Sequence, residues 1–229
     1  MELSQVVAGC EVCRSSPMHG VDLVPPPITL AERRGLAPLT AAPAATTPAA
    51  AVPLAVSALG RALPTSLAIP SIGVSAPVTR VGRDENGAIA APPLSAPRTA
   101  GWDEAGPAPG EPGAAVLVGH LGTLTDPAVF ARLRELDLGA IVGVVRADET
   151  VAVFRVTATE RVPKGKFSGE GFSTGRVHAA GPRAERPELR LITCAGRYVA
   201  SRRGYADNLI VYASFAAAYR WRDLVQGLA

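Results

Sequence analysis

Three side-chain types that together perform nucleophilic chemistry stand at the ends of apolar runs. Cys194 closes "ELRLITC", His120 closes "AAVLVGH", and Arg202 and Arg203 lie just ahead of "NLIVYASF". A thiolate is the reactive form of cysteine, and a nearby cation favours it. An imidazole exchanges protons with an amine near neutral pH. A guanidinium stabilises the oxyanion of an acyl-transfer transition state. Taken singly, each residue has a plainer reading: Cys194 as a small core hydrophobe, His120 as a structural histidine, the arginines as a solvated basic loop. The combination points to covalent acyl transfer, with His178 the alternative base from a less well-fixed loop position. Cys10 and Cys13, in "CEVC" with His19 nearby, offer half of a zinc site. A closed site takes about four ligands, and the chain has no second cysteine pair, so no metal centre is expected.

The elements that position these residues follow from composition. With 23 Gly and 21 Pro in 229 residues, many short strands and turns fit better than a helical bundle. A scattered net charge of +3 and 5% aromatics exclude a nucleic-acid surface or base-stacking platform. Three cysteines, an odd count, do not form a disulfide framework. Residues 35–59 are Ala, Pro and Thr with scattered Leu and Val, which reads as an extended linker. The expected organisation is a disordered tail and linker over 1–60, a catalytic domain over 61–216, and a tail or short helix over 217–229, with 1–60 dispensable for folding. Prolines 43, 48 and 53 interrupt the best candidate membrane span, and no basic stretch followed by an apolar core marks a signal peptide.

Within the domain, "SLAIPSIGVSAPVTRVG" (66–82) gives two β-branched runs broken at Pro70 and Gly73. The continuous apolar run at 114–120 fits a strand buried on both faces. Over 126–136 a helix is expected: Asp126 as N-cap, Pro127 in the first turn, Phe130, Leu133 and Leu136 on one stripe, and Gly139 as the stop. "AIVGVVRA" and "VAVFRVTATERV" read as strands around a turn at Asp148 and Glu149. A segment of about 25 residues, 163–187, then precedes the last two strands, and connections that long are usually functional. It offers Phe167, Phe172 and Val177 to an apolar groove; the alternative is a solvated segment carried by Lys164, Lys166, Arg176 and Arg183, and mixed roles are expected. The fold class is mainly β: seven or eight strands closing into a barrel, with one or two short helices.

"VLVGHLGT", "DPAVFARLRELDLG", "PELRLITCAG" and "YADNLIVYA" together resemble a sortase, most closely the class F sortases of actinobacteria. The resemblance spans residues 62–215. It implies an eight-stranded sortase barrel and a catalytic triad of Cys194, His120 and an arginine. It further implies cysteine transpeptidation, with attack on the threonine carbonyl of an LPxTG-like sorting signal and transfer of the thioacyl group to an amine. Thr193 and Ile192, beside the nucleophile, and Phe167 and Phe172 are the expected substrate-binding residues. No cofactor is implied. The family acts at the cell surface and normally carries an N-terminal membrane anchor, which this sequence does not display. A second departure concerns the arginine. Many class F relatives have Arg directly before "DN", where this chain has Ala206. Arg203 is the first candidate to replace it and Arg202 the second.

Overall fold

The computed structural model describes residues 51–85, 87–123, 125–164, 186–202 and 204–226. Strand β1 (Pro64–Ile69) and strand β2 (Val74–Val81) separate where Pro70 and Gly73 interrupt the β-branched run. Pro70–Ile72 form a single 3-10 turn, and Gly73 takes a φ of 68°, a left-handed conformation open to glycine at no steric cost. Then follow β3 (Ala100–Asp103), β4 (Gly113–Val118), β5 (Ile141–Arg146), β6 (Thr150–Pro163), β7 (Pro187–Val199) and β8 (Gly204–Arg220). A short helix, α1 (Trp221–Gln226), comes last. The strands close into an eight-stranded barrel in the order β1-β2-β3-β4-β7-β8-β6-β5, which leaves no free sheet edge. Two contacts are parallel, β2 with β3 and β4 with β7; the others run antiparallel.

Alternation along the strands sorts the buried side chains into two sets. Ala115 and Leu117 of β4, Leu189 and Leu191 of β7, and Val211 and Ala213 of β8 join the main core with Trp102, Phe130 and Phe154. Their neighbours Val116, Val118, Ile192, Ile210 and Tyr212 form a second apolar cluster on the opposite face of the same strands, with Val81, Ile89 and Val162. His120 and Cys194 continue the second set.

The structure differs from the helix expected over 126–136. Phe130, Leu133 and Leu136 are buried as anticipated, but their spacing of three belongs to 3-10 geometry. The amides of Ala131, Leu133 and Leu136 each donate to the carbonyl three residues back, and only Leu133–Glu135 form a regular 3-10 turn. The amides of Ala128 and Phe130 are drawn off to the carbonyls of Leu121 and His120, so no α-helical ladder starts there. The last two strands are also longer than expected. β7 runs on through Cys194 to Val199, with its pairing shifted between Ala195 and Tyr198, and Gly196 takes a φ of 78° there.

Packing begins before residue 61. Leu59 lies against the main core, and its amide donates to the Gly110 carbonyl at 2.8 Å. The Leu54 amide donates to Ala218. Arg146, with its side chain fully buried, donates to the carbonyls of Gly60 and Pro109 and pairs with Asp148. That guanidinium ties the segment entering the barrel to the β5–β6 turn. Among the described residues no helix is long and apolar enough to cross a membrane.

Candidate active site

The site is built on the parallel pair β4–β7. Its ladder pairs Leu117 with Leu191 and Val118 with Ile192. Two further bonds carry it past the end of β4. The Gly119 amide donates to the Ile192 carbonyl at 3.0 Å, and the Thr193 hydroxyl donates to the Gly119 carbonyl at 2.8 Å. The next step of that register sets His120 level with Cys194. Residues two apart on a strand share a face, so, continuing from Val118 and Ile192, the positions of His120 and Cys194 fall on the face of the second apolar cluster. Gly119 belongs here because a Cβ would lie 2.5 Å from a Phe130 ring carbon and 2.6 Å from a Val129 methyl. The turns over 127–136 press against the strand end that carries the histidine.

His120 is buried, with 1% of its surface exposed. Its Nε2 lies 2.7 Å from the Pro92 carbonyl, which accepts only, so that nitrogen carries the proton. Nδ1 has no hydrogen-bond partner among the described residues. Pro92 belongs to the connection between β2 and β3, and Ala91 beside it packs on Cys194 together with Leu121 and Tyr205. Cys194 has 2% of its surface exposed and pairs with Asn208 of β8. It is disulfide-bonded in this structure, so a thiol has to be released before it can attack a carbonyl. The other cysteines, Cys10 and Cys13, lie outside the described residues, as does His19. The ammonium of Lys164, immediately after β6, donates to the Cys194 sulfur at 3.6 Å.

The remaining expected residues have separate places. Ile192 is buried in the second apolar cluster, two residues before Cys194 and on the same face. Thr193 points to the other face, and its hydroxyl is engaged by Gly119. Ala206 lies half-buried in β8. Arg202 ends a 3-10 turn, Ala200–Arg202, just before β8. Arg203, Phe167, Phe172 and His178 lie outside the described residues. Around the site, Arg161 pairs with Asp207 at 2.8 Å. Gly196 must be glycine, since a Cβ would drive into the Asp207 carboxylate. Burial, then the neighbouring Tyr198, pushes the Tyr205 phenol up. Burial also raises Tyr212, and its hydrogen bond to Glu160 adds to the effect. Among the described residues no cluster of His, Cys, Asp and Glu could hold a metal ion.

Sequence reasoning missed Lys164 and the Pro92 carbonyl as parts of this site. Their signal lies in strand pairing and in a contact across 28 residues, neither of which local pattern carries.

A closed eight-stranded barrel with a cysteine and a histidine aligned on one parallel strand pair defines a narrow class of protein. The sortase domain family matches residues 67–216, well over half of the chain, and the chain belongs to that family. Among solved structures, sortase C-3 from Streptococcus pneumoniae is similar at a TM-score of 0.51 and 17% identity, covering 76% of this chain and 71% of that one. Sortase A from Corynebacterium diphtheriae gives 0.49 at 19% identity, over 68% of this chain and 61% of that one. Sortase C-1 from Actinomyces oris gives 0.48 at 23% identity, over 66% and 72%. The chain thus spans less than two thirds of the Corynebacterium protein. Among curated proteins no match is found.

Proposed function

We propose that the protein is a cysteine transpeptidase of class F type, working at the cell surface on an LPxTG-like sorting signal. The observation that carries this reading is the β4–β7 register, which brings His120 level with Cys194 through the Gly119–Ile192 and Thr193–Gly119 bonds. In the proposed reaction His120 takes the S–H proton of the reduced Cys194, and the sulfur adds to the threonine carbonyl of the signal. The C–N bond breaks, the leaving amine takes a proton from the imidazolium of His120, and a thioacyl enzyme remains. An incoming amine then loses its proton to His120, attacks the thioester and releases the thiol. Because Pro92 holds the Nε2 proton, Nδ1 is the atom that takes and returns the mobile one. Arg203 is proposed to hold the carbonyl oxygen as it becomes an oxyanion. Ile192 lines the site beside the sulfur, and Phe167 and Phe172 are proposed to contact the signal peptide. No cofactor is needed for any step.

The test is to incubate the reduced protein with an LPxTG-type peptide and a free amine and to follow masses. A transpeptidase gives the new amide, and Cys194→Ala gives none. Free acid in place of amide identifies a hydrolase. Intact peptide with measurable binding identifies a catalytically silent sortase-like domain. His120→Ala is expected to slow transfer by at least ~10²-fold, the usual loss on removing a general acid–base. If His178→Ala is the more damaging change, the base is the other histidine.

A further inference from the structure

The Lys164 ammonium in contact with the Cys194 sulfur has no part in the reaction as described so far. Its place is set by strand register. Pro163, the last residue of β6, pairs with Asp207 of β8, so the next step sets Lys164 level with Ala206, which carries no charge. Across β8 on the other side, Asn208 pairs with Cys194. Lys164 and Cys194 therefore flank the same stretch of β8 from opposite sides, and a four-carbon stem spans the strand between them. Of the other ionisable groups on the neighbouring elements, Tyr205 of β8 packs on the sulfur, His120 follows β4 on the same face, and Asp207 alternates with Asn208 to the other face of β8. Tyr205 stays neutral through the physiological range, and Asp207 is held by Arg161 from β6. Lys164 brings an N–H donor and a positive charge to the sulfur itself.

We infer that Lys164 is a catalytic residue whose ammonium holds the reduced Cys194 as its thiolate. The inference rests on the reading of Cys194 as the nucleophile. The step is a proton transfer: the S–H proton passes to a base, His120 or buffer, and the sulfur keeps the electron pair beside the Lys164 N–H. An opposite charge in contact shifts such a balance by about one to three pH units.

The experiment uses the full chain, reduced, and measures iodoacetamide alkylation against pH. Adducts are counted by mass on the peptide that contains Cys194, so Cys10 and Cys13 are scored separately. Lys164→Met is expected to raise the midpoint of the alkylation profile by about one unit or more, while Lys164→Arg keeps the charge and keeps the midpoint. The midpoint is the quantity to read. A less acidic thiol gives a more nucleophilic thiolate, so a tenfold loss of thiolate at pH 7 shows as only about a threefold loss of rate. If Lys164→Met melts early, Lys164→Gln is measured in its place. A midpoint unchanged in a folded charge-removing variant overturns the inference, whatever the peptide assay gives. Conversely, a wild-type protein that alkylates with the low midpoint but transfers no peptide ends the transpeptidase reading and leaves the Lys164 contact standing.

Discussion

Replacing Thr193 by valine removes one hydroxyl from the junction that aligns the site. The two side chains have nearly the same shape, so no cavity opens. What is lost is the 2.8 Å bond to the Gly119 carbonyl, between residues that directly precede Cys194 and His120. Thr193 is 3% exposed, so water does not readily replace the missing donor. Leaving a buried acceptor without its donor costs about 1–3 kcal/mol. For a domain of this size that corresponds to a drop in Tm of roughly 3–10 °C. Activity is expected to fall further than stability alone explains, because a misplacement of about 1 Å at a reacting pair can cost ~10²-fold in rate. The assays are thermal melting followed by circular dichroism, and peptide-to-amine transfer under reducing conditions at a temperature where both proteins are folded. Thr193→Ser keeps the donor and is expected to keep most of the activity. Wild-type melting together with wild-type transfer in Thr193→Val would refute the reasoning. A lower Tm with unchanged transfer would show that the bond holds the barrel without aligning the pair.

Gly119→Ala is expected to lower stability by about 1–3 kcal/mol through overpacking against Phe130 and Val129, read as a shifted denaturation midpoint, with transfer reduced as His120 moves. A chain starting at Arg61 loses the packing of Leu59 and the Gly60 carbonyl that Arg146 binds, and is expected to melt several degrees below a chain starting at residue 51. Differential scanning calorimetry on the pair decides it. For Asp148, burial raises the carboxyl's pKa, but hydrogen bonds from Thr150 and Arg146 and the Arg146 charge outweigh it, and the net shift is downward. The ionised form is thus the stabilised one. Its contribution is complete above the unfolded value of about 3.9 and is lost as pH falls through the folded value. Asp148→Asn should therefore melt below wild type at pH 7, and the gap should close in melts taken down to pH 3 and below.

The barrel was legible because its strands are continuous or alternating β-branched runs bounded by Pro and Gly, as at Pro70, Gly73 and the 148–149 turn. Cys194 and His120 stood out as candidates because each closes such a run in the sequence. The segment over 126–136 misled because apolar residues three apart satisfy two helix types, and the choice lay with Leu121 and His120, whose carbonyls capture its first amides. "CAG" reads as a strand end, yet the strand continues, since Gly196 absorbs the irregularity without breaking the pairing. The linker reading of 35–59 hid Leu54 and Leu59, two ordinary apolar residues in an Ala/Pro context that find places against the barrel. Lys164 was read as a solvating charge, because its contact with the sulfur depends on which strands lie beside β8. One sequence states strand propensity well and strand partnership poorly.

His120 and Cys194 lie 74 residues apart in the chain, and they come level only because β4 and β7 become parallel neighbours. Pairings of such long range form late, after the entropy of a large loop has been overcome. A newly made or partly unfolded chain therefore carries Cys194 away from His120, and the two separate as soon as the barrel opens at that seam. The proposed site is thus a property of the completed fold: a chain still in transit holds its two halves apart. The arrangement also makes the barrel divisible. A break between Lys164 and Arg186 would leave β1–β6 with the histidine and the β7–β8 hairpin with the cysteine, two residues that come level again only when the seam reforms.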